Sequence, residues 1–411
     1  MKKLFSLLCL FMALSFAQSC SKDKEPNVDP DKPRVLEDDK AVIKSTLMDM
    51  VKMMETYPTG IYSDVMSILK EDITYTPKAT EENPNPEEKT KAFPSYIYKN
   101  LTDSIGKYSY GTHGIDIIDE KDGVTQLNFD LLKGNYNFDN TKKEFIRTEN
   151  TNAFVTKFPA NAKGTVESDN IYNLTFSEYS DKEVTLFLAT ENDTKSNELK
   201  AKLPTKIKAE ITKSDVKIAN LNLESIDYTL RGVPTKIKGS IYAKPFTLNV
   251  DINRSQETLY DIKLDLASEV KADKKLSATL KLELSSAIND FEIISKNPEQ
   301  VLASLKSLNI DLSYDKLSVK GDIKDIPSIL AWVAKKGSPI EELNNYADLA
   351  IYLEDFKIGD VTASIVDEKL VINVKYYDES SENISNLYQE SLLEMVKMVT
   401  DIVVDINSLK K

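Results

Sequence analysis

Two periods of apolar residues divide this chain. Near its start, Val42, Ile43, Leu47, Met50, Val51 and Met54 recur at about 3.6 residues per turn, predicting an amphipathic helix over Asp39–Thr56. Tyr57-Pro58-Thr59-Gly60 stops it, and a second helix is predicted at Ile61–Leu69. The longest helical pattern is C-terminal, Glu382 to Leu409, with Ile384, Leu387, Leu392, Met395, Val399, Ile402 and Ile406 on one face. Shorter helices are predicted at Pro298–Leu305, Ile326–Lys335 and Ile340–Tyr346.

From Ser109 onward the dominant period is two. Leu276, Ala278, Leu280, Leu282 and Leu284 alternate with polar residues, the pattern of a sheet covered on one side. Phe246, Leu248, Val250 and Ile252 repeat it, as do Ile262, Leu264 and Leu266. Hairpins are predicted between Gly111–Ile118 and Gly123–Leu131, and between Gly134–Phe138 and Glu144–Ile146. Another sets Val361-Ala363-Ile365 against Leu370-Ile372-Val374-Tyr376. Further strands are predicted at Asn152–Phe158, Tyr172–Tyr179 and Glu183–Ala189. Leu203-Pro204-Thr205-Lys206-Ile207-Lys208 recurs as Val233-Pro234-Thr235-Lys236-Ile237-Lys238. This marks an internal β repeat over about 203–266, each copy adding strands to one meander. The expected fold is α+β: a large, mostly antiparallel meandering sheet packed against the N-terminal helix and a long C-terminal helix.

The first nineteen residues change the picture of where this sheet works. Lys2 and Lys3 precede a short apolar run, Leu4–Phe16, the layout of a secretory signal and too short for a membrane span. Ala17-Gln18-Ser19-Cys20 resembles a bacterial lipobox, which implies lipidation of Cys20 and removal of residues 1–19. Residues 20–38 then form a lipidated cysteine and a proline- and charge-rich tether, ahead of an ectodomain over 39–411. Within it, residues 76–95 carry Pro77, Pro84, Pro86 and Pro94 and read as a mobile insert. Ser21-Lys22-Asp23-Lys24-Glu25-Pro26 resembles the signal that sends Bacteroidota lipoproteins to the outer face of the outer membrane. Surface exposure is expected; a periplasm-facing position is the alternative.

The chain has 411 residues and a net charge of −13. Residues 1–19 carry only Lys2 and Lys3, so their loss leaves −15. Such a body is unsuited to nucleic acid, which requires clustered Lys and Arg. Cys9 and Cys20 are the only cysteines, so the mature body has no thiol for a disulfide, a thiolate metal site or a nucleophile. His113 is the only histidine; its Tyr110-Gly111-Thr112-His113-Gly114 setting reads as a turn. Asp116, Asp119, Glu120 and Asp122 before Gly123 lack the closing glutamate of a calcium loop and read as a hairpin turn. Tyr96, Tyr98, Tyr108 and Tyr110 form an aromatic run suited to sheet packing or carbohydrate stacking, while Trp332 stands alone. No catalytic, cofactor or metal residue is expected.

Leu132-Lys133-Gly134-Asn135-Tyr136-Asn137-Phe138, Phe154-Val155-Thr156-Lys157-Phe158-Pro159-Ala160 and Asn173-Leu174-Thr175-Phe176 resemble stretches of uncharacterised Bacteroidota lipoproteins. The resemblance implies a surface lipoprotein and carries no activity. The expected function is non-enzymatic binding or cell-envelope interaction, with a membrane reached through Cys20 and a glycan, protein or lipid ligand. One alternative is a carrier holding a lipid in a cavity lined by Met48, Met50, Met53, Met54, Met395 and Met398. The other is a hydrolase using paired carboxylates.

Overall fold

The computed structural model describes residues 34–55, 74–75, 89–90, 118–121, 123–127, 129–139, 144–148, 152–159, 167–189, 196–289, 304–329, 345–366 and 369–383. Among the described residues strand makes up 68% and helix 13%, so the protein is mostly β and the α+β expectation with its long C-terminal helix is corrected. Where that helix should begin, Glu382 and Asn383 instead pair with Val374 and Asn373 of a neighbouring strand. The rest of it lies outside the described residues, as do the helix at 61–69 and most of those at 298–305, 326–335 and 340–346. Of the insert at 76–95, only β2 (Lys89–Thr90) is described, paired with β1 (Thr74–Tyr75). The chain divides into two compact units, the first built from Met1–Tyr57, Leu248–Ile288 and Asn297–Val403, the second from Pro58–Thr247, Asn289–Lys296 and Val404–Lys411.

In the first unit, α1 (Leu36–Glu55) carries Glu37, Asp38 and Asp39 in its first turn, where carboxylates complement the helix dipole. Asp39 is buried and takes hydrogen bonds from Arg34 Nε at 3.2 Å and Nη2 at 3.0 Å. Asp39, Ile43, Thr46, Leu47 and Met53 form its buried face. The predicted helix is therefore present, and Met53 is fully buried on its inner face.

The sheet of this unit is an antiparallel meander of β13 (Leu259–Ser268), β14 (Lys271–Leu284), β15 (Leu305–Tyr314), β16 (Leu317–Ile323), β17 (Ala347–Leu353), β18 (Phe356–Val366), β19 (Lys369–Tyr376) and β20 (Ser381–Asn383). Its rungs are apolar from strand to strand. Leu264, Ala278, Leu312, Val319 and Ile351 lie side by side, and so do Ile262, Leu280, Ile310, Gly321 and Leu349. The predicted pairing of Val361, Ala363 and Ile365 with Val374, Ile372 and Leu370 is realised in register. Gly321 has φ +154°, and a Cβ there would collide with the Asp348 carbonyl, so the close approach of β16 to β17 requires glycine.

α1 is tied to this sheet by charge as well as by packing. Asp49 accepts hydrogen bonds from Lys271 and Lys274, each at 2.8 Å, and from the Tyr314 hydroxyl at 3.2 Å. Those bonds hold its carboxyl well below the usual carboxylate range. Lys40 lies 4.8 Å from the Tyr376 ring centroid and Arg34 4.5 Å from that of Phe356.

The second unit holds β3 (Ile118–Lys121), β4 (Val124–Leu127), a short helix α2 (Phe129–Leu132), β5 (Gly134–Asp139), β6 (Glu144–Thr148), β7 (Phe154–Phe158), β8 (Tyr172–Ala189), β9 (Ser196–Lys213), β10 (Val216–Tyr228) and β11 (Pro234–Ala243). The β3–β4 hairpin turns at Gly123, with φ +73°. Of the predicted strand Gly111–Ile118 only Ile118 is described; Asp119–Lys121, expected as a turn, belong to β3, and β4 ends at Leu127, where α2 replaces the expected strand through Leu131. The β5–β6 hairpin forms as predicted, and β5 also pairs in parallel with β7. The expected strands Tyr172–Tyr179 and Glu183–Ala189 are one 18-residue strand, β8. The alternating run Phe246, Leu248, Val250 and Ile252 lies in β12 (Phe246–Gln256), the strand in which the chain passes from this unit to the first.

The repeat has a simple structural meaning. Its two copies, β9 and β11, flank β10 on either side. Leu223 faces Ile207 on one side and Gly239 on the other, so the copies are staggered by two residues. A stagger of two keeps the same side chains on the same face.

Candidate binding cleft

The site of interest arises where β8 and β9 break register. Along their shared edge the pairing shifts twice, between Phe176 and Glu178 and between Ser180 and Asp181. Ser177 is the extra residue on β8. On β9 the extra residue is Thr205, because Ser180 pairs with Lys206 and Asp181 with Pro204. A single inserted residue reverses which face each following side chain occupies. The apolar residues obey this. Phe176 joins Leu127, Tyr136 and Phe154 in one buried cluster, with Leu174, Tyr179, Ile207 and Ala209 packed against it. Farther along the same strands, Val184, Leu186, Ala201 and Leu203 form a second cluster on the opposite face. The ribbon thus changes its buried side midway.

At this crossover opens a cleft of about 620 Å³. Gln126 and Leu127 of β4, Phe129 and Asp130 of α2, Lys133 and Asn152 form one side. The bulged segment Ser177–Asp181 of β8, with Lys202 and Lys206 of β9, forms the other. Beneath it Phe129 packs on Phe176 with ring centroids 4.6 Å apart and on Tyr179 at 5.8 Å. This aromatic bed fixes the position of Tyr179, whose hydroxyl is hydrogen-bonded to Asp181.

The charges alternate in sign. Lys133 pairs with Asp130 at 2.6 Å. Glu178 takes Lys206 as a close partner and Lys208 at 3.4 Å, and these hydrogen bonds lower its carboxyl below the usual range. Asp181 goes the other way. Burial raises it, with partial offset from Lys202 and the bond from Tyr179. Burial, with Asp181 beside it, also lifts the Tyr179 hydroxyl far above the ordinary phenol range. Tyr228, raised by burial, donates to the Pro204 carbonyl at 2.7 Å and braces β9 where Pro204 offers no N–H.

Two carboxylates with opposite shifts form a pattern associated with acid–base chemistry. Here the pattern fails on geometry. No residue is inserted in β8 between Glu178 and Asp181, and three positions along a strand place two side chains on opposite faces. Tyr179 and Asp181 share one face, Glu178 and Ser180 the other.

The residues singled out from sequence do not build this cleft. Cys20, His113, Tyr96, Tyr98, Tyr108, Tyr110 and Trp332 lie outside the described residues. Asp119 and Glu120 sit in β3 itself, the turn residue being Gly123. Among the described residues, no group of three or more His, Cys, Asp or Glu could hold a metal ion. Sequence reasoning missed Tyr179, Asp181, Lys202 and Lys206. The signal available was the gap in alternation between Tyr179 and Glu183, facing a proline inside a strand at Pro204. Comparison with protein-family models, with curated proteins and with solved structures found no match.

Proposed function

We propose that this chain is a membrane-anchored binding protein of the cell envelope, held by lipid on Cys20 and recognising its ligand in the cleft at the β8–β9 crossover. The observation that carries the reading is the cleft itself. Two register breaks bring polar residues of β8, β9 and the β4–α2 segment together over an aromatic bed. The opposed faces of Glu178 and Asp181 favour recognition over a paired-carboxylate hydrolase. The lipobox-like Ala17–Cys20 and the tether to residue 38 support anchoring at the outer membrane, facing the cell surface, with a periplasm-facing placement as the alternative.

Fractionation and protease shaving of intact cells test the anchoring. Wild type should pellet with membranes and lose its body to protease without lysis; Cys20→Ala should leave the membrane fraction. A Cys20→Ala protein that still pellets with membranes contradicts the anchor, and full protection of the wild type places the body inside.

One observation favours a second reading, an amphiphile carrier. The apolar rungs of β13 and β14, including Ile262, Leu264, Leu276 and Leu280, are only half-buried, whereas the same rungs are buried at Val319, Leu349 and Ile351. Lipid extracted with protein purified from its native host, and detected by mass spectrometry, would support it; protein free of lipid would sink it.

A further inference from the structure

We infer that the ligand of the cleft is a neutral, hydroxyl-rich chain, an uncharged oligosaccharide of a few units; this rests on reading the cleft as the binding site. Three lysines and three carboxylates line the cleft, and each cation faces a carboxylate: Lys133 with Asp130, Lys206 with Glu178, and Lys202 with Asp181. An ionic ligand would have to displace one member of a pair and leave the other unmatched. At half-buried Asp181 that displacement is costly, because a desolvated charge without a partner is strongly unfavourable.

A hydroxyl group imposes no such exchange. An ammonium carries three N–H donors and a carboxylate about four acceptor sites, so an ion pair at one contact retains capacity on both sides. Sugar hydroxyls donate and accept at once, and can insert beside an ion pair without breaking it. Gln126, Asn152, Ser177 and Ser180 add uncharged donors and acceptors around the same space. Phe129 and Tyr179, both half-buried, supply the apolar bed that suits the C–H faces of a sugar ring. The volume of about 620 Å³ falls within the small-molecule range of roughly 300–1,000 Å³.

The test is calorimetric titration of the full-length, detergent-solubilised protein. Three probe sets are used: neutral tri- to hexasaccharides of glucose, mannose and xylose, uronic-acid oligosaccharides of the same length, and short Lys- or Glu-rich peptides. Neutral sugars should bind, with an affinity that stays within about twofold between about 0.05 and 0.5 M salt, because no net charge is being screened. Asp181→Asn and Lys202→Met should each weaken binding by about tenfold or more, with a single cooperative denaturant unfolding transition retained as the check on folding. Binding of only the charged probes, lost with those same variants and with salt, overturns the ligand class while keeping the cleft as the site. Neutral-sugar binding that neither variant weakens overturns the assignment to this cleft. No binding by any probe overturns both.

Discussion

The β15–β17 sheet of the first unit and the β8–β9 ribbon of the second are written in the same alternating code, yet they build different things. From β15 to β17 no register shift occurs. Apolar residues therefore stay on one face through Ile310, Val319, Leu349 and Ile351, all buried, and the result is a wall. In β8–β9 two single-residue shifts occur within five positions. The buried face changes sides, and where it changes, polar side chains meet over an aromatic bed. Register continuity makes core; its interruption makes a cleft.

The deepest cut into this contrast is under the cleft. Phe154 is fully buried against Tyr136, with ring centroids 5.1 Å apart. Phe154→Ala should cost about 4 kcal/mol in denaturant unfolding. On the unbroken side, Gly321→Ala should cost about 3 kcal/mol, because the new methyl meets the Asp348 backbone and neither strand can slip without losing its rungs. If Gly321→Ala proved neutral, the tightness ascribed to the β16–β17 wall would be wrong.

The Asp49 anchor separates the two regions by pH. Asp49→Ala should cost about 2 kcal/mol at neutral pH by removing three hydrogen bonds. Its carboxyl is lowered in the folded protein, so the stability it contributes is present above the ordinary carboxylate value of about 3.9 and fades as pH falls below it. Wild type and variant should converge in acid. Asp181 has the opposite sign. Its carboxyl is raised, so its charged form is a liability that grows as pH rises through the folded value. Asp181→Asn should therefore gain stability at neutral pH while losing ligand, and converge with wild type in acid. A loss of stability at neutral pH would contradict the burial argument. The smallest effect is expected at the exposed Lys263, 3.9 Å from Asp265: Lys263→Ala should change stability by less than about 0.5 kcal/mol.

Much of the sheet was legible because alternation writes faces directly. The rungs of β13 and β14 and the β18–β19 register follow from residue parity, and α1 follows from its 3.6-residue stripe. The duplicated Pro-Thr-Lys-Ile segment correctly marked equivalent strands. The predicted helix at Pro298–Leu305 met competition at its end: Leu305 and Leu308 share a helical spacing, but Leu305 instead pairs with Leu284 and opens β15. The cleft was scarcely legible. Ser177 and Thr205 are ordinary strand residues in composition, and an insertion of one changes geometry without changing the pattern of types. Its single trace, the broken alternation after Tyr179, read as a gap between two strands.

The central claim, that the register break makes the cleft, is tested most directly by removing it. Deleting Thr205 should make Lys206 and Pro204 neighbours and restore continuous pairing with β8, leaving Leu203 and Ala201 opposite Lys182 and Val184 as before. A crystal structure of the deletion should then show the second unit folded and the cleft closed, whereas Thr205→Gly, which keeps the bulge, should retain the cleft. A deletion whose cleft stays open at its full volume would contradict the account.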